Sequence, residues 1–135
     1  KVCNPKKDIQ YNDEADFYFI GKRLSSVSIC QGTPTGDYFC YSWYGYRKNG
    51  TLAYISQDYS TFCAGNVSVV SKVYFDRHGK KIKESIKYYN IETRKLVKKL
   101  EDMPDGEPEV YKTSKGILAK FAGDLKGTVP PWTTF

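Results

Sequence analysis

Along most of the chain, apolar and polar residues alternate in short runs separated by Gly, Pro, Asn and Asp. A period of two is the signature of strands with one buried face. Phe17 to Ile29 is rich in β-branched and aromatic residues and predicts one long first strand. The run Asn12-Asp13-Glu14-Ala15-Asp16 reads as its solvated approach. Gln31 to Gly36, punctuated by Pro34, breaks the pattern. Tyr38 to Tyr46 predicts a second strand and is the most aromatic stretch of the chain. Arg47 to Gly50 supplies an Asn-Gly turn, a strong hairpin signal, with Thr51 to Gln57 as the return strand. Val67 to Phe75 and Lys81 to Tyr89 flank a turn at Asp76 to Lys80, where Gly79 suits a positive φ. Closely spaced turns of this kind predict an antiparallel meander and not βαβ units.

Parity sorts the faces. On one strand Val69, Ser71, Val73 and Phe75 fall together, opposite Val70, Lys72 and Tyr74. On the next, Ile82, Ile86 and Tyr88 oppose Lys81, Lys83, Ser85 and Lys87, with Glu84 interrupting the apolar side. A sheet wet on one side has this pattern. In the aromatic strand, Tyr38, Ser42, Tyr44 and Tyr46 align with Cys40, while Phe39, Tyr41, Trp43 and Gly45 lie opposite, so both faces carry rings.

After Asn90 the periodicity changes. Leu96, Val97, Leu100 and Met103 predict a helix over Glu92 to Met103, capped by Asn90 or Thr93 and stopped by Pro104. The competing reading is a hairpin turning at Ile91 to Arg94, with Lys95 to Leu100 as a further strand. Glu109 to Lys112 predicts a short strand. Ser114 to Leu125 predicts a second helix, weakened by Gly116 and Gly123. From Thr128 the chain reads as an extended tail. The expected fold is therefore mainly β: an antiparallel meander forming a barrel or sandwich, with one or two short C-terminal helices, in a single domain.

Cysteine usage sets the compartment. Cys3, Cys30, Cys40 and Cys63 all lie in the first half of the 135 residues. Their spacing contains no Cys-x-x-Cys pair and the chain has 1 histidine, so a disulfide framework is expected and a metal site is not. Three pairings are open; the favoured one joins Cys3–Cys30 and Cys40–Cys63. Two sequons, Asn49-Gly50-Thr51 and Asn66-Val67-Ser68, are candidate glycan acceptors. The chain opens at Lys1-Val2-Cys3 without a visible signal peptide, as expected of a cleaved, secreted form. No apolar run approaches the ~20 residues that span a bilayer.

Charge and aromatic content then suggest surfaces. The net charge is +6, concentrated in Arg77, Lys80, Lys81, Lys83, Lys87, Arg94, Lys95, Lys98 and Lys99. Outside a cell, such a face suits a sulfated, anionic polysaccharide, anionic phospholipid or an acidic protein exosite more than nucleic acid. Tyr38, Tyr41, Trp43, Tyr44, Tyr46 and Tyr54 form an aromatic hairpin of the kind that anchors protein contacts. The single histidine, His78, sits in a charged turn with no nucleophile motif beside it, and no metal or cofactor is implied.

Cys3-Asn-Pro-Lys, Phe17-Tyr-Phe-Ile-Gly-Lys22 and Ile29-Cys30-Gln31 resemble the opening of small arthropod salivary lipocalins. Lys22-Arg23 stands where those proteins carry Trp, and the resemblance covers only the first 35 or so residues. It implies an up-and-down barrel with a ligand pocket, or a surface that sequesters host molecules. Taken together, the expected function is that of a secreted, non-enzymatic, monomeric binding protein. It would sequester or inhibit an extracellular target, of the host-defence or haemostasis kind, through the aromatic hairpin and the basic face. A lipocalin-like carrier of a small ligand, and a small basic hydrolase or nuclease using His78 with Glu84, are the alternatives.

Overall fold

A computed structural model describes residues 12–32, 38–61, 66–98 and 108–121. Seven antiparallel strands follow one another in a single meander sheet. They are β1 (Asn12–Ile20), β2 (Arg23–Gly32), β3 (Tyr38–Tyr46), β4 (Leu52–Thr61), β5 (Val67–Phe75), β6 (Lys81–Asn90) and β7 (Leu96–Val97). A short helix, α1 (Ser114–Lys120), follows. The protein is thus mainly β with a short C-terminal helix. Among the described residues the ladder runs from β1 to β7 without closing on itself. No described helix is long and apolar enough to cross a membrane.

The expected long strand Phe17–Ile29 is two strands. Gly21 adopts φ 62, and the chain reverses at Gly21-Lys22 so that β2 pairs back on β1. The acidic run is part of β1 and not an approach to it. The other hairpins fall where turn chemistry predicted them. Gly50 has φ 84 and its N–H donates to the Arg47 carbonyl at 2.9 Å. Gly79 has φ 83, and Asp76 Oδ1 accepts from the backbone N–H groups of His78 at 2.8 Å and Lys80 at 2.9 Å. Those two donors hold the exposed Asp76 carboxyl below the usual carboxylate range.

The helix expected over Glu92 to Met103 is overturned where the structure describes it. Asn90 Oδ1 does accept from Glu92 N and Thr93 N, as a helix cap would. Arg94 then enters the left-handed region at φ 59, and the chain returns as β7 beside β6. The edge of β6 offers Leu96-Val97 a ladder, whereas a helix of about three turns is marginal on its own. Residues 99–103, Lys99 among them, lie outside the described residues, as does the tail from 128. Glu109 to Lys112 forms no strand; this segment passes through a single bridge, Thr51 to Thr113, into α1.

Three register shifts sit beside three hairpin turns at one end of the sheet. They leave Ser25, Ala53 and Ile82 without direct partners. Such bulges bend and twist a strand locally. The last one matters for parity: it sets Lys81 opposite Phe75 and leaves Ile82 64% exposed. Ile82 therefore does not share the apolar face as expected, and Lys81 pairs with Glu84 at 2.8 Å.

The core face is closed at this bulged end by α1 and the segment leading into it. Leu24, Val27, Tyr44, Leu52, Ile55 and Phe75 pack with Ile117, Leu118 and Phe121. Thr113 caps the helix through Gly116 N at 3.0 Å, and Ser114 N donates to the Gly50 carbonyl at 2.8 Å, fixing the helix to the β3–β4 turn. Arg47 strengthens the same corner by donating to the carbonyls of Leu52, Phe75 and Asp76. A second cluster of Cys40, Tyr59, Val67 and Val69 lies at the other end. Between the two runs a buried polar row, Ser42–Gln57–Ser71, in register across β3, β4 and β5. Gln57 Nε2 donates to Ser42 Oγ at 3.1 Å.

Tyr44 and Tyr46 belong to this core. Tyr44 is 2% exposed, and its hydroxyl donates to the Glu109 carbonyl at 2.8 Å; Tyr46 donates to the Tyr111 carbonyl at 2.9 Å. Burial first, and the nearby Tyr111 phenol second, push both groups well above the ordinary tyrosine range. The sign of the linkage follows. Both phenols stay neutral in the folded chain, so their stabilisation is whole below the unfolded tyrosine value of ~10 and is lost as pH rises past it. Absorbance titration is expected to show two phenols that resist ionisation until the chain unfolds. Ionisation of every tyrosine with the native circular dichroism intact would contradict this placement.

Candidate functional site

Because directly paired residues share a face, the registers define what the outer face presents. One row reads Tyr18, Ser26, Gly45, Tyr54, Tyr74, Lys83 from β1 to β6. The next reads Asp16, Ser28, Trp43, Ser56, Lys72, Ser85, and the third Glu14, Cys30, Tyr41, Asp58, Val70, Lys87. Three zones result. Exposed Glu14 and Asp16 occupy β1, aromatic rings the centre on β3 and β4 with the exposed Asp58 beside Tyr41, and exposed lysines β5 and β6.

The rings are held in place by small neighbours. Tyr18 and Trp43 stand on strands separated by β2, with strand axes ~9.6 Å apart, and are offset by two residues along them. Their ring centroids nevertheless lie 5.3 Å apart. They meet above β2, and the outward-facing Ser26 and Ser28 beneath them are buried. Larger residues at those positions would hold the rings apart. Tyr54 pairs with Tyr74 at 6.2 Å between centroids, and Lys83 Nζ lies 5.9 Å from the centre of the Tyr74 ring. That is within cation–π range.

Gly45 sets the height of the platform. A Cβ built there would sit 2.3 Å from a Tyr54 ring carbon, so the Tyr54 ring occupies the space a side chain would need at Gly45. The lone Gly inside an aromatic strand was the sequence signal for such a close approach. Gly45→Ala is expected to lift the Tyr54 ring and disturb its pairing with Tyr74. Loss of Tyr54–Tyr74 cross-peaks in a nuclear Overhauser spectrum would register it, and an unchanged spectrum would contradict it.

Two depressions open on this face. One, of about 320 Å³, is lined by Tyr41, Trp43, Tyr54, Ser56, Lys72 and Tyr74. The other, of about 270 Å³, lies against Phe39, Tyr41, Asp58, Ser60, Ser68, Ile91 and Arg94. Tyr41 borders both, and Asp58 in the second accepts from Ser68 Oγ at 2.8 Å.

The residues expected to bind are thus divided. Tyr41, Trp43, Tyr54, Lys83 and Lys87 share the outer face, and Arg94 borders its second depression. Tyr44 and Tyr46 are on the core side. Tyr38 lies in β3, and its side chain is outside the described residues. Arg77 and Lys80 belong to the β5–β6 turn, Lys81 sits opposite Phe75, and Lys95 and Lys98 flank β7. The sequence reading did not single out Lys72 or Tyr74, because only the β4–β5 register brings them beside Ser56 and Tyr54.

The remaining candidates fall as follows. Exposed His78 accepts from Arg77 Nε at 3.3 Å, and the Glu84 carboxylate imagined beside it is paired with Lys81. Asn49 is exposed at the β3–β4 turn, where Oδ1 accepts from Thr51 Oγ1 at 2.7 Å. Asn66 precedes β5 at φ 60. Cys3 and Cys63 lie outside the described residues, so neither favoured bridge is described. Cys30 pairs with Tyr41 on the outer face, whereas Cys40 pairs with Gln31 on the core face. A Cys30–Cys40 bridge is thereby closed, which removes one of the three connectivities. As a thiol, Cys30 is pushed up by burial and then by Glu14 and Asp16, which makes it a poor nucleophile. Compared with protein-family profiles, with characterised proteins and with solved structures, the chain matches none.

Proposed function

We propose that this is a secreted, non-enzymatic binding protein that sequesters or inhibits an extracellular target through the outer face of its sheet. The observation that carries the reading is the meeting of two features that are separate in the sequence. The registers set the aromatic hairpin beside lysines of β5 and β6, on a face that no described residue covers. Tyr18, Phe39, Tyr41 and Tyr74 are all left exposed there. Exposed rings in a contiguous patch are characteristic of interaction surfaces. The four cysteines and two sequons support the extracellular setting.

A second reading, a small-ligand carrier of the kind the salivary lipocalin resemblance implies, has one observation in its favour. Ser71 is 0% exposed, and its hydroxyl has no hydrogen-bond partner among the described residues. A buried hydroxyl left so costs about 1–3 kcal/mol and is relieved by a polar group held inside.

The test is capture from extracellular fluid by the immobilised, oxidised protein, with Tyr41→Ala and Trp43→Ala baits beside the wild type. A partner retained by the wild type and lost from both variants supports the outer face. Equal retention by all three baits, with loss only in Ser71→Val, would move the function to the interior.

A further inference from the structure

Resting on that reading, we infer that the depression between Trp43 and Tyr74 is a subsite for an anionic oligosaccharide, its charged groups on Lys72 and Lys83. The argument starts from the distribution of charge. On the outer face, Glu14 and Asp16 occupy β1 and Asp58 lines the neighbouring depression, while Lys72, Lys83 and Lys87 occupy β5 and β6. Among the described residues, none of these three lysines is paired with a carboxylate; the ion pair in this region is Lys81 with Glu84. A polyanion is therefore drawn to the β5–β6 side and repelled from β1, which fixes where along the row it lies.

The aromatic geometry selects the kind of anion. The Tyr54 ring approaches Gly45 closely, and its plane is tilted 31° from that of Tyr74. Four aromatic rings, Tyr41, Trp43, Tyr54 and Tyr74, line the depression, and the axial C–H faces of pyranose sugars are electropositive and pack on aromatic π faces. Lys72 and the Ser56 hydroxyl line the same depression between Trp43 and Tyr74. A bare peptide anchor favours a dry, apolar pocket. A sugar ring carrying sulfate or carboxylate needs an apolar platform, a hydroxyl and a cation within one ring's reach, and this depression offers all three. Single-stranded nucleic acid also uses rings and cations, but in the extracellular setting proposed above anionic polysaccharide is the abundant polyanion.

The experiment is calorimetry on the full, oxidised chain with a sulfated heparin hexasaccharide, its desulfated counterpart and a six-nucleotide oligothymidylate. The sulfated hexasaccharide is expected to bind tightest. Lys72→Gln and Trp43→Ala should each weaken it by about tenfold or more, the loss of a well-used anchor. Lys48→Gln, at the β3–β4 turn, should change it less than about twofold, as an exposed charge outside the contact does. The slope of log K against log salt should flatten by about one when Lys72 is removed. Lys72 is exposed on its strand, and circular dichroism of Lys72→Gln separates loss of contact from loss of fold. Equal losses from Lys48→Gln and Lys72→Gln would reduce the effect to net charge and overturn the inference, as would tighter binding of the oligothymidylate. No hexasaccharide binding, with capture still lost in Tyr41→Ala and Trp43→Ala, overturns this inference and leaves the binding reading intact. If capture too is independent of those residues, both fall.

Discussion

Tyr44→Ala is expected to remove about 3–5 kcal/mol of folding free energy, the cost of emptying a large buried aromatic site. Tyr44 pairs with Val27 on one side and Ile55 on the other, at the centre of the larger cluster. Its ring meets Tyr111 edge-on at 5.5 Å, and its hydroxyl bonds the Glu109 carbonyl. The residue thus ties the sheet to the segment that carries α1, and both connections vanish with the ring. Domains of this size are typically stable by only about 5–15 kcal/mol, so the variant should sit near its unfolding threshold at room temperature. Tyr44→Phe keeps the ring and loses one hydrogen bond, for about 1–2 kcal/mol. Urea denaturation of the three proteins tests the order; an alanine variant within 1 kcal/mol of wild type, by the same measure, would contradict the core assignment.

Tyr41→Ala has the opposite profile. Tyr41 points away from that core, is 41% exposed and borders both outer depressions. Truncating it should leave the denaturation midpoint close to wild type, since exposed substitutions usually fall within about 0.5 kcal/mol. Affinity for the captured partner should fall by about tenfold or more, as at a central aromatic anchor. Tyr41 and Tyr44 are three residues apart on one strand and differ in parity. The pair of variants separates what the strand does for folding from what it does for binding. A Tyr41→Ala protein that binds normally but unfolds early would reverse the two faces.

Parity was the most legible feature of the sequence. Val67 to Phe75 became β5 with the predicted side buried, because alternation leaves one register in which Val69, Val73 and Phe75 avoid water together. The Asn-Gly and His-Gly turns appeared where positive φ demanded them. Gly21 was less legible. A single glycine inside an apolar, β-branched run carries no second turn residue, and only the pairing of β2 with β1 shows that the chain reverses there. After Asn90 the hairpin reading holds and the helix reading fails, for a related reason. Asn90 makes the hydrogen bonds of a helix cap, so local chemistry favoured a helix, and the free edge of β6 then captured Leu96 and Val97. Tertiary context overrode local propensity.

The candidate site was half legible. Tyr41, Trp43 and Gly45 could be grouped by parity, but nothing local says which side of β3 faces the core. That choice belongs to α1, whose Ile117, Leu118 and Phe121 cover the Tyr44 side. Lys72 and Tyr74 looked like the wet side of another strand until the β4–β5 register set them against Ser56 and Tyr54. Cross-strand neighbours are a product of register, and register is set by the whole sheet.

Oxidative footprinting of the protein with and without its captured partner tests the central claim most directly, since it reports which side of the sheet is covered. Protection concentrated at Tyr41, Trp43 and Tyr74, with Tyr111 and Phe121 unchanged, is the result predicted by an outer binding face. Protection of Tyr111 and Phe121, with Trp43 as reactive as in the free protein, would place the partner on the opposite side and contradict the account.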